Sequence, residues 1–151
     1  MDVYTVSLFG HREVDDLILL EKRLSPIIKD LLLSQPFVSF LIGRNGEFDE
    51  FSASVIKRVR KGSSFENNSI SLILPYLVSG MDDYENYYDD IIIPEEVEGA
   101  HPKSAIGLRN RWMVGKSDLV IVYVNRKSGG AYNALKYARL LNKKVINLCE
   151  L

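Results

Sequence analysis

Short, continuously apolar runs recur along this chain with helix-periodic stretches between them, and that alternation limits the possible folds more than any other feature. Val3 to Phe9 reads as a strand, after which Leu17, Leu20, Leu24, Ile27, Ile28 and Leu31 fall at helical spacing. Pro26 interrupts that helix, so Ser25-Pro26 is read as a fresh start or a kink. Phe37 to Ile42 is a second apolar run, and Phe48, Phe51, Val55 and Val59 mark the helix after it. Ile70 to Leu74 is a third, closed by Pro75. From roughly Tyr76 to His101 the chain reads as one long irregular stretch, with room for a short extra strand at Ile91-Ile92-Ile93. Pro102 opens a helix running to about Lys116, Leu119 to Val124 is a buried strand, Gly129-Gly130 starts another helix, and Val145 to Leu148 is the last strand.

Strands that are apolar throughout are covered on both faces, which is the habit of parallel sheets. The expected fold is therefore α/β: a three-layer, Rossmann-like parallel sheet with helices on both faces. Counting the five main strands in chain order, the expected arrangement is 3-2-1-4-5. A length of 151 residues fits a single domain over 1–151. Ligands of such sheets bind beyond the carboxyl ends of the strands where the order reverses. Here that point lies between the first and fourth strands. The loops that meet there are Gly10-His11-Arg12 and Asn125 to Gly130, with Gly43 to Gly46 alongside.

Charge and cysteine content narrow the partners. The formal net charge is −1, which gives no general attraction to a polyanion, so no nucleic-acid partner is expected. Lys57, Arg58, Arg60 and Lys61 form the one dense basic run, read as the solvated end of a helix. Cys149 is the only cysteine, which excludes an intrachain disulfide and suits a reducing compartment. Met1-Asp2-Val3-Tyr4 lacks the basic start of a secretory signal, and no apolar run approaches the ~18 residues of a membrane span. A cytoplasmic protein with no membrane partner is expected. With only His11, His101 and Cys149 available as soft ligands, neither a metal site nor a cofactor is expected.

The candidate site residues each carry two readings. Ser128-Gly129-Gly130-Ala131 follows a buried strand, so the backbone can approach a ligand closely and the next helix can offer N–H groups to a phosphate. It is also what a tight strand–helix turn needs. Arg109 lies on the inward stripe set by Ile106 and Met113, where a guanidinium requires an anion. A ligand phosphate would serve, as would a structural carboxylate such as Asp118. Arg12 follows the first strand, placed to clamp a phosphate or to sit as a surface charge. His11 is placed to bond a ligand hydroxyl or to titrate near neutrality. Glu47 and Asp49, just after Asn45-Gly46, favour a helix dipole, or act as base or nucleophile at a glycosidic carbon. Asp82-Asp83-Tyr84-Glu85-Asn86-Tyr87-Tyr88-Asp89-Asp90 reads as a lid whose tyrosines stack on a base, or as a mobile acidic loop.

Arg109-Asn110-Arg111-Trp112-Met113, then Ser117-Asp118-Leu119-Val120-Ile121, then Gly129-Gly130, resemble the signature of the SLOG superfamily. That group includes the LOG phosphoribohydrolases, molybdenum-cofactor carrier-like proteins and DprA-like domains. Arg109, Met113, Asp118, Gly129 and Gly130 fall on positions of the LOG pattern, and the resemblance extends to Gly10-His11-Arg12 and the turn from Gly43 to Asp49. Where LOG enzymes carry a second Gly-Thr this chain has Tyr132-Asn133, and where they carry the catalytic glutamate it has Lys136. The resemblance implies a homodimer and a nucleotide-like small-molecule ligand, bound through its phosphate on Gly129-Gly130, in a sensor or carrier module without LOG-type hydrolysis. Asn45, Gly46, Asn125 and Ser128 complete the expected binding loops. The alternatives are an N-glycosidic hydrolase or transferase using Glu47 or Asp49, and a regulatory protein-interaction domain.

Overall fold

A computed structural model describes residues 2–151. Its elements run β1 (Val3–Gly10), α1 (Leu17–Ser34), β2 (Phe37–Ile42), α2 (Glu47–Gly62), β3 (Asn68–Ile73), α3 (Met81–Tyr87), β4 (Asp90–Ile92), α4 (Pro102–Lys116), β5 (Leu119–Tyr123), α5 (Gly130–Leu140) and β6 (Lys144–Asn147), with a closing 3-10 turn at Leu148–Glu150. The six strands form one sheet in the order β4-β3-β2-β1-β5-β6, and every neighbouring pair is parallel.

Successive residues of a strand face opposite sides of the sheet, so each apolar strand feeds two cores. Leu8 of β1 and Ile121 of β5 pack with Leu20, Leu24 and Ile28 of α1 and with Val55 and Ile56 of α2. Phe9, Val120 and Val122 point the other way, onto Met113 and Val114 of α4 and Ala134, Leu135 and Ala138 of α5. Helices α1 and α2 thus cover one face, and α4 and α5 the other. The small side chains of α5 let it lie close against the sheet.

The structure corrects the sequence reading in three places. The five expected strands keep their relative order, but β4 pairs beside β3 and makes a sixth strand at the edge. Residues 82–90 are not one open loop: Met81–Tyr87 is helical and Asp90 starts a strand. Tyr88 is buried in the α1/α2 core, and Asp89 accepts from Ile70 N and pairs with Arg60. Amphipathic tyrosines closed that segment down onto the sheet. Finally, α1 runs unbroken through Pro26, capped by Asp16, whose carboxylate accepts from Leu19 N. Buried Leu20, Leu24, Ile28 and Leu32 anchor it on both sides of the proline, so packing outweighs the missing hydrogen bond.

Among the described residues, no helix is long and apolar enough to cross a membrane.

Candidate functional site

Strand β1 is where the chain's crossovers diverge, toward β2 on one side and β5 on the other. A crevice of about 260 Å³ opens at the carboxyl ends of these strands. Gly10, His11 and Arg12 line it from β1, Asn45 and Asp49 from the start of α2, Arg109 and Asn110 from α4, and Arg126, Gly129 and Gly130 from the β5–α5 turn. Of the expected site residues, Glu47, Gly43, Gly46, Asn125 and Ser128 do not line it.

Four of those five have other work. Glu47 Oε1 accepts from Val14 N at 2.8 Å, and Glu47 N donates to Arg12 O at 2.8 Å, so this residue ties the β1 loop to α2. A Cβ on Gly46 would stand 2.5 Å from Arg12 Cα, so the close approach of the two loops requires glycine there. A Cβ on Gly43 would meet Arg109 Nη1 at 2.8 Å and Asp49 Oδ2 at 3.2 Å, so Gly43 makes room for both charged groups. Asn125 N donates to His11 Nε2 at 3.2 Å, which ties the first loop to the third. The Asn125 side of that turn faces a separate hollow shared with Tyr123 and Cys149. Ser128 is exposed on the turn leading into α5.

His11 is only 3% exposed, and burial, then the nearby Arg126 charge, push its pKa below the ordinary value. Its Nε2 accepts from Asn125 N, a bond that needs that nitrogen unprotonated, so the loop contact and the lowered pKa agree.

Arg109 forms the floor, 2% exposed. Nε and Nη2 donate to Asn110 Oδ1 at 3.1 and 2.8 Å, and Nη1 donates to Ile73 O at 3.3 Å. A guanidinium carries five N–H groups, so two are not used in these bonds. Its carboxylate neighbour is not Asp118, which sits at the far edge of the sheet and accepts from Thr5 N at 2.9 Å. The neighbour is Asp49, on the other side of Gly43. Asp49 is 7% exposed and accepts from Asn45 N at 2.8 Å. Burial raises its pKa to about 6, against the opposing pull of the Asn45 N–H and of Arg109. Above that value Asp49 is a carboxylate and offsets part of the Arg109 charge, so the unpaired cations of the recess, among the described residues, are Arg12 and Arg126.

The wall opposite is the start of α5. Gly129 adopts φ +94°, a conformation other residues rarely take, and no side chain caps the helix. Asn133 N returns to Gly129 O, while the N–H groups of the preceding turn face outward with the positive end of the helix dipole. Arg12 and Arg126 are exposed at the rim, and among the described residues neither forms an ion pair. Asn110 and Arg126 were not expected in the site. Asn110 adjoins the inward arginine and is itself buried, a signal present in the periodicity. Arg126 has no local signal, being one charge in a polar loop.

Beyond Gly130 the crevice continues into a cleft of about 770 Å³ between α4 and α5. The two share Ile106, Asn110 and Gly130. Lys136 lines this cleft and not the crevice, with its ammonium 4.9 Å over the Tyr132 ring.

No family model matches this chain, and no curated protein matches it in sequence. Solved structures do resemble it. DNA processing protein A (DprA) from Streptococcus pneumoniae superposes with a TM-score of 0.66 at 16% identity, covering 94% of this chain and 49% of its own. DNA processing protein A from Helicobacter pylori, described for its single-stranded DNA binding mode, superposes with a TM-score of 0.64 at 12% identity, covering 94% of this chain and 63% of its own. The chain thus spans about half to three fifths of those proteins, and shares with them a DprA-like Rossmannoid fold. These neighbours overturn the expectation of a nucleotide-like small-molecule ligand with no nucleic-acid partner. Net charge is also a weak ground for excluding a polyanion, because the sign of the local field at a crevice is what acts on a ligand there.

Proposed function

We propose that this chain is a SLOG-type domain that binds single-stranded DNA, seating one backbone phosphate in the crevice at the carboxyl edge of the sheet. The observation that carries this reading is the gathering of Arg12, Arg109, Arg126 and the uncapped start of α5 around one recess that a single acid, Asp49, lines. A phosphodiester would supply an anion to a recess whose rim arginines form no ion pair among the described residues. Its oxygens would accept from the two remaining guanidinium N–H groups and from the first turn of α5. The recess is narrow, so a flexible strand can dip a phosphate into it where a stiff duplex would bridge its rim. The fold shared with the DNA processing proteins supports the same reading.

The test is fluorescence anisotropy with a single strand and with the duplex of the same sequence, over a salt series. The single strand binds more tightly, and affinity falls with salt at about 0.7 in the log–log slope for each phosphate neutralised. The Arg12→Ala, Arg126→Ala double variant weakens binding and flattens the slope. Binding unchanged in that variant would remove the crevice as the site.

A further inference from the structure

The α4–α5 cleft is a second feature that the crevice does not account for. Lys103 and Arg111 line it from α4 and Lys136 from α5, and no acidic side chain does. Lys103, Gly107 and Arg111 are spaced i, i+4, i+8 and so share one face of α4, with the outer pair about 12 Å apart along the axis. All three cations are exposed, and among the described residues none forms an ion pair. Arg111 stands 5.3 Å over the Tyr137 ring, which makes a flat, cationic, half-buried surface inside the cleft.

Gly107 adds an independent observation. It lies in the middle of α4, where glycine weakens a helix relative to alanine. Packing does not ask for it: a Cβ there would meet nothing within 4 Å. Gly107 is exposed and lines the cleft, so a methyl group added there would meet no protein atom and would crowd only an occupant of the cleft.

We infer that the α4–α5 cleft is a second nucleic-acid subsite, which takes the nucleotides that follow the crevice phosphate. This rests on the reading of the crevice given above and extends it. The strand leaves the crevice over Gly130 and passes Asn110, which border both cavities. It runs along α4 with its phosphates on Lys103, Arg111 and Lys136, and a base stacks on the Arg111–Tyr137 pair. Such a surface accepts any base, because every base has a π-face. The occupant is a single strand rather than a second protein, because a cleft with three unpaired cations and no acid matches a polyanion.

The experiment compares oligothymidylates of about 4 and about 16 nucleotides, lengths that bracket a single site. The wild-type chain binds the longer strand more tightly. In the Lys103→Ala, Arg111→Ala, Lys136→Ala variant that length advantage falls about tenfold and the salt slope of the long strand drops by about 2, while the short strand binds as before. Gly107→Ala supplies a second readout: it raises the melting temperature and still weakens the long strand alone. Several results would overturn the inference. A triple variant that keeps the full length advantage leaves the cleft without a strand. Equal losses for both lengths make it part of the crevice. A change in solution mass without a change in DNA binding makes it an interface between copies. If the short strand binds the wild-type chain with no gain on lengthening, the cleft falls and the crevice stands; if neither length binds, both fall.

Discussion

Two basic regions of this molecule look opposite in sequence and in space. Lys57, Arg58, Arg60 and Lys61 are nearly contiguous, yet the structure pairs two of the four with acids and engages a third. Arg58 pairs with Glu21 at 2.8 Å and Arg60 with Asp89 at 2.6 Å, while Lys57 donates to Tyr87 O and sits 3.5 Å over the Tyr87 ring. The cations of the crevice and cleft are scattered from Arg12 to Lys136 and are brought together without ion-pair partners. A run of charge along a helix end meets the acids of adjoining elements. A field strong enough to hold an anion needs cations from several elements around one hollow, with few acids among them.

The largest expected effect tests that contrast directly. Replacing Arg12 and Arg126 together by alanine removes two charge-assisted phosphate contacts, at about 1.5 kcal/mol each, and so weakens single-stranded DNA binding roughly a hundredfold. Replacing Lys57, Arg58, Arg60 and Lys61 together leaves the affinity within about threefold at the same salt. Equal losses from both sets, in parallel anisotropy titrations, would erase the distinction.

A second measurement sharpens it through Asp49. A carboxyl whose pKa rises on folding, here from 3.8 to about 6, holds its proton longer in the folded chain than in the unfolded one. Its contribution to stability is therefore present in acid, is lost as pH climbs between those two values, and is level above. The full span is up to about 3 kcal/mol. Urea unfolding from about pH 4 to about pH 8 should show that decline in the wild-type chain and not in Asp49→Asn. The exposed Arg60–Asp89 pair acts in the other direction, since Asp89 has its pKa lowered, against the cost of burial, by Arg60 and the Ile70 N–H. It contributes stability above the ordinary carboxylate range that is lost in acid. A decline of the same size in Asp49→Asn would show that another group carries it.

Smaller effects follow from packing. A Cβ on Gly10 would stand 2.1 Å from the ring of Phe48, which is fully buried and has no room to withdraw. Gly10→Ala should cost about 1–3 kcal/mol of unfolding free energy by overpacking. Smallest of all, Arg58→Ala removes a surface pair and should cost under about 1 kcal/mol, with no change in DNA affinity.

Much of the fold was legible because the strands are apolar on both faces and the helices are not. The α4 bounds follow from Pro102 and from the periodicity that ends near Lys116. The segment around Tyr84 to Asp90 was not legible. Its acids and tyrosines have the composition of an open loop, and only contact with the sheet edge tells Tyr88, which buries, from Tyr87, which stays exposed at 38%. In the candidate site, the inward direction of Arg109 was readable from Met113 four residues on. Its neighbour was not: Asp118 is nearer in sequence, but β5 carries Asp118 to the amino edge while Arg109 reaches the carboxyl edge.

By itself, then, the sequence determined the main strands and helices other than α3, the parallel sheet and the end of it where the glycine loops meet. These depend on local periodicity and on glycine and proline stereochemistry, which act within a few residues. Only the tertiary structure decided which glycines line the crevice and which make space for a neighbour, as Gly43 does for Arg109 and Asp49. It alone decided which cations stay unpaired. Both depend on distances between residues far apart in the chain, and a charge acts on whatever lies within a few ångströms of it, wherever that group stands in the sequence.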